Sequence, residues 1–245
     1  MNEIKRQKIY ILGSADVFYK AIAAHLTGLI NISLNGKDYF NLVLSGGDTP
    51  RELYRLLATE YRQRIPWPKI RLYWCDERLV AHDHPESNYR MVKETLLIDQ
   101  PLPSENIFPM PTDLSTPEEA ASSYENLLRS YFDGLWPRFD LILLGLGADG
   151  HTASLFPGTP AINEKNKWVV TTTQPKTLQS RLSLTLPVLN QARHIYFIVT
   201  GKDKSHALQR ATSDPPDPIN CPASAVRPVD GELNWWADWQ AAQLI

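Results

Sequence analysis

The run Leu141-Ile142-Leu143-Leu144, followed at once by Gly145-Leu146-Gly147, decides the fold of this chain of 245 residues. Four consecutive apolar residues that end at glycines predict a strand buried on both faces, as in a covered parallel sheet. Similar short apolar runs alternate with segments of helical periodicity along the chain. They lie at 9–12, 41–44, 70–75, 168–172, 182–184, 195–199 and 233–236. The pattern predicts an α/β fold in one domain (1–245), with a mostly parallel, Rossmann-like sheet and helices on both faces.

Capping residues mark the expected helix ends. Thr49-Pro50-Arg51-Glu52 and Thr116-Pro117-Glu118-Glu119 both place a hydroxyl before a proline and a glutamate three residues on, which is the pattern of a capping box. A helix from about Ala15 is expected to end at Asn35-Gly36 in a left-handed C-cap. Another helix is expected over about 87–97.

Composition and charge exclude several classes of protein. Hydrophobic residues make up 43% of the chain and charged residues 21%, which rules out disordered, collagen-like and coiled-coil proteins. The net charge of −2 offers no overall positive field to nucleic acid or anionic lipid, so we expect neither as a partner. Any anionic ligand must therefore be held by a local cluster of charges.

Targeting signals and membrane segments are not expected. Residues 1–6 carry charges of both signs and no apolar stretch of signal-peptide length follows them. The apolar runs are far shorter than the roughly 20 residues that span a bilayer. Two cysteines, Cys75 and Cys221, are too few for a disulfide framework or a CxxC zinc site, and they fit a cytoplasmic protein best.

Ligands of open parallel sheets bind at the carboxyl ends of the strands, where the first unusual loop is Ser45-Gly46-Gly47-Asp48-Thr49. Two glycines between a strand and a helix let backbone N–H groups approach an anion, which the helix N-terminus also favours. An ordinary tight turn explains this segment equally well when it is taken alone.

A second unusual loop, Asp76-Glu77-Arg78, places three charges at the end of an apolar strand. Such a run either faces the ligand crevice or is a solvated loop, and the solvated loop is the commoner case. The nearby His82-Asp83-His84 lacks the spacing of a familiar metal site, so no metal is expected.

The third loop contains Gly145, Gly147 and Gly150 in the pattern G-x-G-x-x-G. A dinucleotide site also needs a helix that opens at this loop and an acidic residue about 20 positions later, and the sequence favours neither. We therefore expect no nicotinamide or flavin cofactor. Asp149-Gly150-His151 instead places a carboxylate beside an imidazole, a group whose ordinary pKa near neutrality suits general-base chemistry. A lone histidine is more often structural, but its place at a strand end favours function.

The fourth place combines Arg181 with Gly201-Lys202-Asp203-Lys204, which follows a predicted strand. A lysine on the first turn after such a glycine is a plausible phosphate contact. Each residue taken singly is as well explained by a solvated charge. The nucleoside triphosphate motif G-x-x-x-x-G-K-[ST] does not occur in the sequence.

Together these loops resemble the 6-phosphogluconolactonase family, within the superfamily that also contains glucosamine-6-phosphate deaminase. The matching stretches are 44–50, 76–78 with Ser87-Asn88, 144–158, 181–185 and 201–204, and Pro222-Ala223-Ser224 is similar to the family's closing segment. The resemblance implies hydrolysis of 6-phospho-D-glucono-1,5-lactone to 6-phosphogluconate in the oxidative pentose phosphate pathway, with no redox cofactor. The expected partner is a sugar phosphate, and the oligomeric state is a monomer or a small homo-oligomer.

The resemblance also implies roles for single residues. His151 would activate water, with Asp149 orienting its imidazole and Asp76 as the next candidate base. Arg78 would hold either the phosphate or the oxyanion. The expected phosphate-binding residues are Ser45, Gly46, Gly47, Thr49, Arg181 and Lys204.

Two alternatives stay open on the sequence alone. The deaminase branch of the superfamily typically has a glutamate where this chain has Phe156, five residues after His151, and tends to have a tyrosine where this chain has Arg78. A non-enzymatic sugar-phosphate sensor would keep the glycines and Lys204 but could dispense with His151.

Overall fold

The computed structural model describes residues 7–114 and 116–245, so the expectation about residues 1–6 lies outside the described residues. The strands in that part of the chain are β1 Gln7–Leu12, β2 Phe40–Leu44, β3 Ile70–Trp74, β4 Asp76–Arg78, β5 Ile107–Phe108, β6 Leu141–Leu144, β7 Val169–Thr173, β8 Ser180–Leu184, β9 His194–Val199 and β10 Glu232–Asp238. The helices there are α1 Ala15–Ser33, α2 Asp48–Ala58, α3 Asn88–Thr95, α4 Pro117–Tyr131, α5 Leu186–Leu189 and α6 Ser205–Thr212.

The main sheet has seven strands in the order β1-β10-β9-β6-β2-β3-β5, and every pairing in it is parallel. β6 lies at its centre between β9 and β2, and all four of its residues are buried. This position explains the unbroken apolar run, because a strand covered on both faces has no solvent-facing side to carry polar residues. The predicted α/β fold with a mostly parallel sheet is confirmed.

Helices cover both faces because the chain reverses its direction across the sheet. From β1 through β2 and β3 to β5 each connection moves towards one edge, and from β5 through β6 and β9 to β10 each moves back. Connections between parallel strands are right-handed. α1, α2 and α3 therefore share one face, where α2 packs against both of the others, and α4 and α6 lie on the opposite face.

Two of the predicted strands, 168–172 and 182–184, belong to a different sheet. The corresponding strands β7 and β8 pair with β4 in a three-stranded antiparallel sheet of order β4-β8-β7. β4 follows β3 after the single residue Cys75, so the small sheet is joined to the carboxyl edge of the large one. All three residues of β4 are charged, so the apolar runs of the sequence do not predict this strand.

Two expected helix caps are wrong. α2 begins at Asp48 with Gly47 as its N-cap, and the Thr49 hydroxyl lies 2.8 Å from Thr200 Oγ1 instead of capping the helix. α1 ends at Ser33, where Leu34 caps it in a right-handed conformation with its amide donating to Ile30 O. A left-handed cap at Gly36 is therefore not formed, and residues 34–36 continue as a short 3-10 turn.

The helical segment 15–36 is long and apolar enough, by length and composition, to cross a membrane. The length of unbroken apolar runs does not indicate this segment, because Asp16, Lys20 and His25 interrupt the apolar residues without breaking the helix. One face of α1 is buried against β1, β10 and α2, which is the packing of a core helix. The buried side chains are Phe18, Ile22, Ala23, Leu26, Thr27 and Ile30.

The predicted capping box of α4 is confirmed, and it supplies a stability test. Thr116 Oγ1 accepts from Glu119 N, and the Glu119 carboxylate accepts from Thr116 N, both at 3.2 Å. Thr116→Ala should lower the free energy of unfolding by about 1 kcal/mol, measured by urea denaturation. Ser123→Ala, at an exposed position of the same helix, is the control and should change it by less than about 0.5 kcal/mol. Equal losses in both variants would contradict the assignment of the cap.

Candidate active site

A cleft of about 410 Å³ lies at the carboxyl ends of the adjacent strands β9, β6, β2 and β3. The strands are parallel, so the loops that follow them meet at one edge of the sheet. Nine of the ten predicted site residues line the cleft. The tenth, Asp149, is hydrogen-bonded to His151, which is one of the nine. The nine are Ser45, Gly46, Gly47, Thr49, Asp76, Arg78, His151, Arg181 and Lys204.

The N-terminus of α2 forms one wall of the cleft. Gly47 adopts a φ of 104°, which lets the chain turn from β2 into the helix, and no side chain of the described residues caps α2. The first N–H groups of a helix carry a partial positive charge and need acceptors. This end of α2 can therefore bind an anion in the cleft.

The loop before α2 is held by Tyr54, which is fully buried. The Tyr54 hydroxyl donates to Ser45 O at 2.9 Å and accepts from Ser45 N at 3.1 Å. Burial raises the pKa of Tyr54, so the neutral phenol can play both parts at once. The backbone of the glycine loop is thus fixed before any ligand arrives.

Two guanidinium groups face each other across the small sheet. Arg78 of β4 is the register partner of Arg181 of β8. Burial, and next the charge of Arg78, lower the pKa of Arg181. The Nε atom of each arginine is buried and finds no hydrogen-bond partner among residues 7–114 and 116–245. Like charges with unused donors favour an anion between them.

Lys204 is the third cationic group of the cleft. It ends the 3-10 turn that follows Gly201, whose φ is 97°. Its Nζ lies 3.1 Å from Asp203 Oδ2, and about a quarter of its side chain is exposed. Among the described residues, the ion-pair partner of this lysine is a mostly exposed carboxylate, so the lysine can turn to a ligand.

Asp149 and His151 form a hydrogen-bonded pair. Asp149 Oδ1 accepts from His151 Nδ1 at 2.6 Å and from His151 N at 3.1 Å. Burial alone would raise the pKa of Asp149, but the hydrogen bonds from His151 and its charge outweigh burial and lower the pKa to about 2. The ionised carboxylate holds the proton on Nδ1, so Nε2 is the nitrogen left to accept another proton. The buried ring of Phe156 packs against the imidazole, with 4.8 Å between the ring centroids.

The glycines around this pair make room for it. A Cβ on Gly147 would overlap the His151 imidazole and come within 2.6 Å of Asp149 Oδ1. Gly150 has a φ of 95°, which only glycine adopts readily. The helix that a dinucleotide site requires does not open here, because Thr152 and Leu155 form an isolated antiparallel bridge instead.

Asp76 lies nearby with its carboxylate held from several sides. Its Oδ2 accepts from Ser154 Oγ at 2.7 Å, and its Oδ1 lies 3.2 Å from Cys75 Sγ and 3.4 Å from Asn88 Nδ2. Only 8% of the residue is exposed. Asp76 therefore presents a fixed acceptor to the cleft.

Some lining residues received no role in the sequence analysis, among them Ser154, Asn88, Thr200 and Gln174. The sequence indicates the first three indirectly. Ser154 and Asn88 lie inside the stretches that carry the resemblance, and Thr200 directly follows β9. Gln174 belongs to the hairpin between β7 and β8, and no pattern in the sequence marks it.

The histidines after β4 have other contacts. His82 Nε2 lies 2.9 Å from Met110 O, and His84 Nδ1 accepts from Glu86 N at 3.2 Å. In the part of the chain that the structure describes, no group of three or more histidine, cysteine, aspartate or glutamate residues could hold a metal ion.

Comparison with known proteins identifies the family. The model of the family described as "Glucosamine-6-phosphate isomerases/6-phosphogluconolactonase" matches residues 13–235. The chain belongs to this family. The family resemblance predicted from the four loops is thereby confirmed.

Three similar proteins are named 6-phosphogluconolactonase, which is one of the two activities in the description of the family. A protein of Synechocystis sp. named 6-phosphogluconolactonase is 47% identical over 207 residues, which cover 83% of this chain and 84% of that protein. A protein of Oryza sativa named probable 6-phosphogluconolactonase 2 is 37% identical over 98% of this chain and 91% of its own. The crystal structure of 6-phosphogluconolactonase from Thermotoga maritima superposes with a TM-score of 0.83 at 31% identity, covering 95% of this chain and 99% of that one.

The Asp149–His151 pair can be tested by titration. NMR of the Asp149 carboxyl carbon should give a midpoint near pH 2. Because its folded pKa is lowered, the stability that this pair contributes is present above the unfolded pKa of about 4 and is lost as the pH falls through about 2. Gly147→Ala should displace the imidazole and raise the midpoint.

Gly145→Ala is the matched control, since no described atom beyond the neighbouring residues of the chain lies within 4 Å of a Cβ at that position. Its midpoint should equal that of the unaltered protein. A Gly147→Ala midpoint equal to the control's would mean that the pair does not depend on the space beside Gly147.

Proposed function

We propose that this protein is an enzyme that hydrolyses 6-phospho-D-glucono-1,5-lactone to 6-phosphogluconate, in the oxidative pentose phosphate pathway. One observation carries the proposal: a carboxylate–imidazole pair and a site for an anion occupy the same cleft. Lactone hydrolysis needs both, because the anion site holds the phosphate while the imidazole acts on water at the carbonyl carbon.

The phosphate is bound at the N-terminus of α2. The backbone of Gly46 and Gly47 and the hydroxyls of Ser45 and Thr49 supply donors, as at other helix N-termini that bind phosphate. Arg181 and Lys204 neutralise its charge. We assign Arg78 to the same anion, because it lies opposite Arg181 and a shared phosphate relieves the repulsion between the two guanidinium groups.

His151 is the general base. Its Nε2 takes a proton from water, the water oxygen bonds to the lactone carbonyl carbon, and the carbonyl oxygen becomes an oxyanion. When the bond from this carbon to the ring oxygen breaks, the same imidazole returns the proton to that oxygen. Asp149 keeps the proton on Nδ1 and stabilises the imidazolium between the two steps. Asp76 accepts a hydrogen bond from the water or from a sugar hydroxyl.

The deaminase reaction is the second candidate, since the family includes both activities. It requires ring opening and proton transfer between carbons, which need more acid–base groups. Phe156 cannot transfer a proton, yet its ring packs on His151 where the deaminase branch typically has a glutamate. This packing favours the lactonase.

A sugar-phosphate sensor is the third candidate. It would need the anion site but not the Asp149–His151 pair, whose hydrogen bonds lower the pKa of Asp149 to about 2. Such strongly perturbed groups in a cleft are typical of catalytic sites. We also expect the protein to be cytoplasmic, since both cysteines are buried free thiols.

The direct test compares the two family reactions. The purified protein should release acid rapidly from 6-phosphogluconolactone, followed with a pH indicator after subtraction of spontaneous hydrolysis. It should release no ammonia from glucosamine 6-phosphate under the same conditions. Ammonia release at a comparable rate would overturn the proposal and favour the deaminase.

Kinetic constants should separate the two halves of the cleft. His151→Ala should lower kcat by about 10² to 10⁴-fold with little change in KM, because it removes the base and leaves the phosphate site. Full kcat in this variant would point to Asp76 as the base.

Arg181→Ala should raise KM by about tenfold or more with a smaller effect on kcat, because a charge-assisted hydrogen bond is lost. An unchanged KM in this variant would remove Arg181 from the phosphate site.

A further inference from the structure

Asn88 has an unusual place beside the cleft. It is the first residue of α3, lines the cleft and is 1% exposed. Its Nδ2 donates to Asp76 O at 2.9 Å and lies 3.4 Å from Asp76 Oδ1. Its Oδ1 is buried and accepts no hydrogen bond from any described residue. A buried amide oxygen without a hydrogen-bond partner lowers the stability of the fold, so other contacts must hold the Asn88 side chain in this position.

The Asn88 amide packs against the glycine loop at Gly46. A Cβ on Gly46 would overlap the side-chain amide of Asn88, with the Asn88 Nδ2 atom also only 2.8 Å away. Gly46 is not among the residues with positive φ, so its backbone conformation would accept alanine. The space next to Gly46 is therefore limited by Asn88 itself. One side of the amide touches the loop at the end of β2, and the other holds Asp76 of β4.

Asn88 is itself anchored by Glu77. The Glu77 carboxylate is 1% exposed and accepts from the backbone N–H groups of Asn88 and Tyr89, each at 2.8 Å. It also accepts from Arg78 N at 2.8 Å. Burial raises the pKa of Glu77, while these N–H groups at the start of α3 oppose that shift. Glu77 thus ties the backbone of α3 to β4 and fixes the point from which the Asn88 side chain extends to Asp76 and the glycine loop.

We infer that Asn88 is a positioning residue, which sets the separation between the Gly46–Gly47 loop and the Asp76 carboxylate. The inference rests on the proposed function, in which the loop holds the phosphate and Asp76 acts near the carbonyl carbon. A rigid spacer between them fixes how far a bound phosphate lies from the reacting end of the substrate. Small misplacements of this kind cost catalysis more than they cost stability.

A double-mutant cycle of Gly46→Ala and Asn88→Ala tests the spacer. Gly46→Ala alone should lower kcat/KM by about 100-fold, because the new Cβ displaces either the loop or the amide. In the Asn88→Ala background the same substitution should cost less than about threefold, because the space is then empty. Asn88→Ala alone should lower kcat/KM by about tenfold, with a rise in KM as well as a fall in kcat.

Asn106→Ala is the matched control. Asn106 is also a buried asparagine whose Nδ2 donates to a main-chain oxygen, Pro68 O at 3.1 Å, but it does not line the cleft. Its loss should lower the Tm and leave kcat/KM within about twofold of the unaltered protein. If Asn88→Ala does not fold, Asn88→Ser empties the same space and takes its place in the cycle.

The outcomes separate the inference from the proposed function. If Gly46→Ala costs the same in both backgrounds, or if the Asn88 variants keep the kcat and KM of the unaltered protein, the inference is overturned while lactone hydrolysis stands. If the unaltered protein does not hydrolyse the lactone, the proposed function fails. The cycle is then measured by Tm and by affinity for inorganic phosphate, and a lack of coupling in both overturns the inference too.

Discussion

The parallel arrangement of β9, β6, β2 and β3 constrains everything else at this site. Strands that run side by side in one direction bring their following loops to one edge. The glycine loop, Asp76, the Asp149–His151 pair and Thr200 come from four separate parts of the chain, yet each follows one of these strands. The central strand β6 makes this possible, because its four buried side chains tie the two halves of the sheet together.

The donors and charges that line the cleft favour an anion. The N-terminus of α2 lacks a side-chain cap among the described residues, and two arginines face each other with buried donors unused. Such groups usually find partners in a folded protein. The carboxylates nearby are already engaged, Asp149 by His151 and Asp76 by Ser154. The groups without partners are thus mostly donors and cations, which favour an anionic ligand in the cleft although the net charge of the chain is −2.

Many strands, one helix cap and the loops of the site could be predicted from the sequence, because the patterns that indicate them involve residues close together in the chain. An apolar run such as 141–144 and a capping box such as that of Thr116 depend on residues close together in the chain. The sequence predicts that the loops after the strands lie together, because parallel topology brings them to one edge whatever the strand order. Contacts between distant segments left no such signal. The hydroxyl of Thr49 pairs with Thr200, 151 positions away, and so does not cap its own helix.

The small antiparallel sheet shows the same limit. Its first strand, β4, consists of three charged residues and looks like a solvated loop, the commoner case for such a run. It becomes a strand because Glu77 finds its partners in the first turn of α3 and because its backbone pairs with β8, which outweighs the repulsion between Arg78 and Arg181. The sequence indicates Asn88 only as part of the Ser87-Asn88 pair, which belongs to the family resemblance. Its contact with Gly46 depends on how α3 is anchored and could not be obtained from spacing along the chain.

The alternation of side chains along β4 has a consequence for sequence change in this protein. Successive residues of a strand point to opposite faces, so Asp76 and Arg78 line the cleft while Glu77 is turned away from it into the helix contact. Deletion of one residue after Cys75 would exchange the two faces, because Glu77 would move to the position of Asp76 and Arg78 to that of Glu77. Glu77 would then face the cleft, and Arg78 would face the amides of α3, where a cation is repelled. The length of this short connection is therefore as tightly constrained as the identity of the three charges.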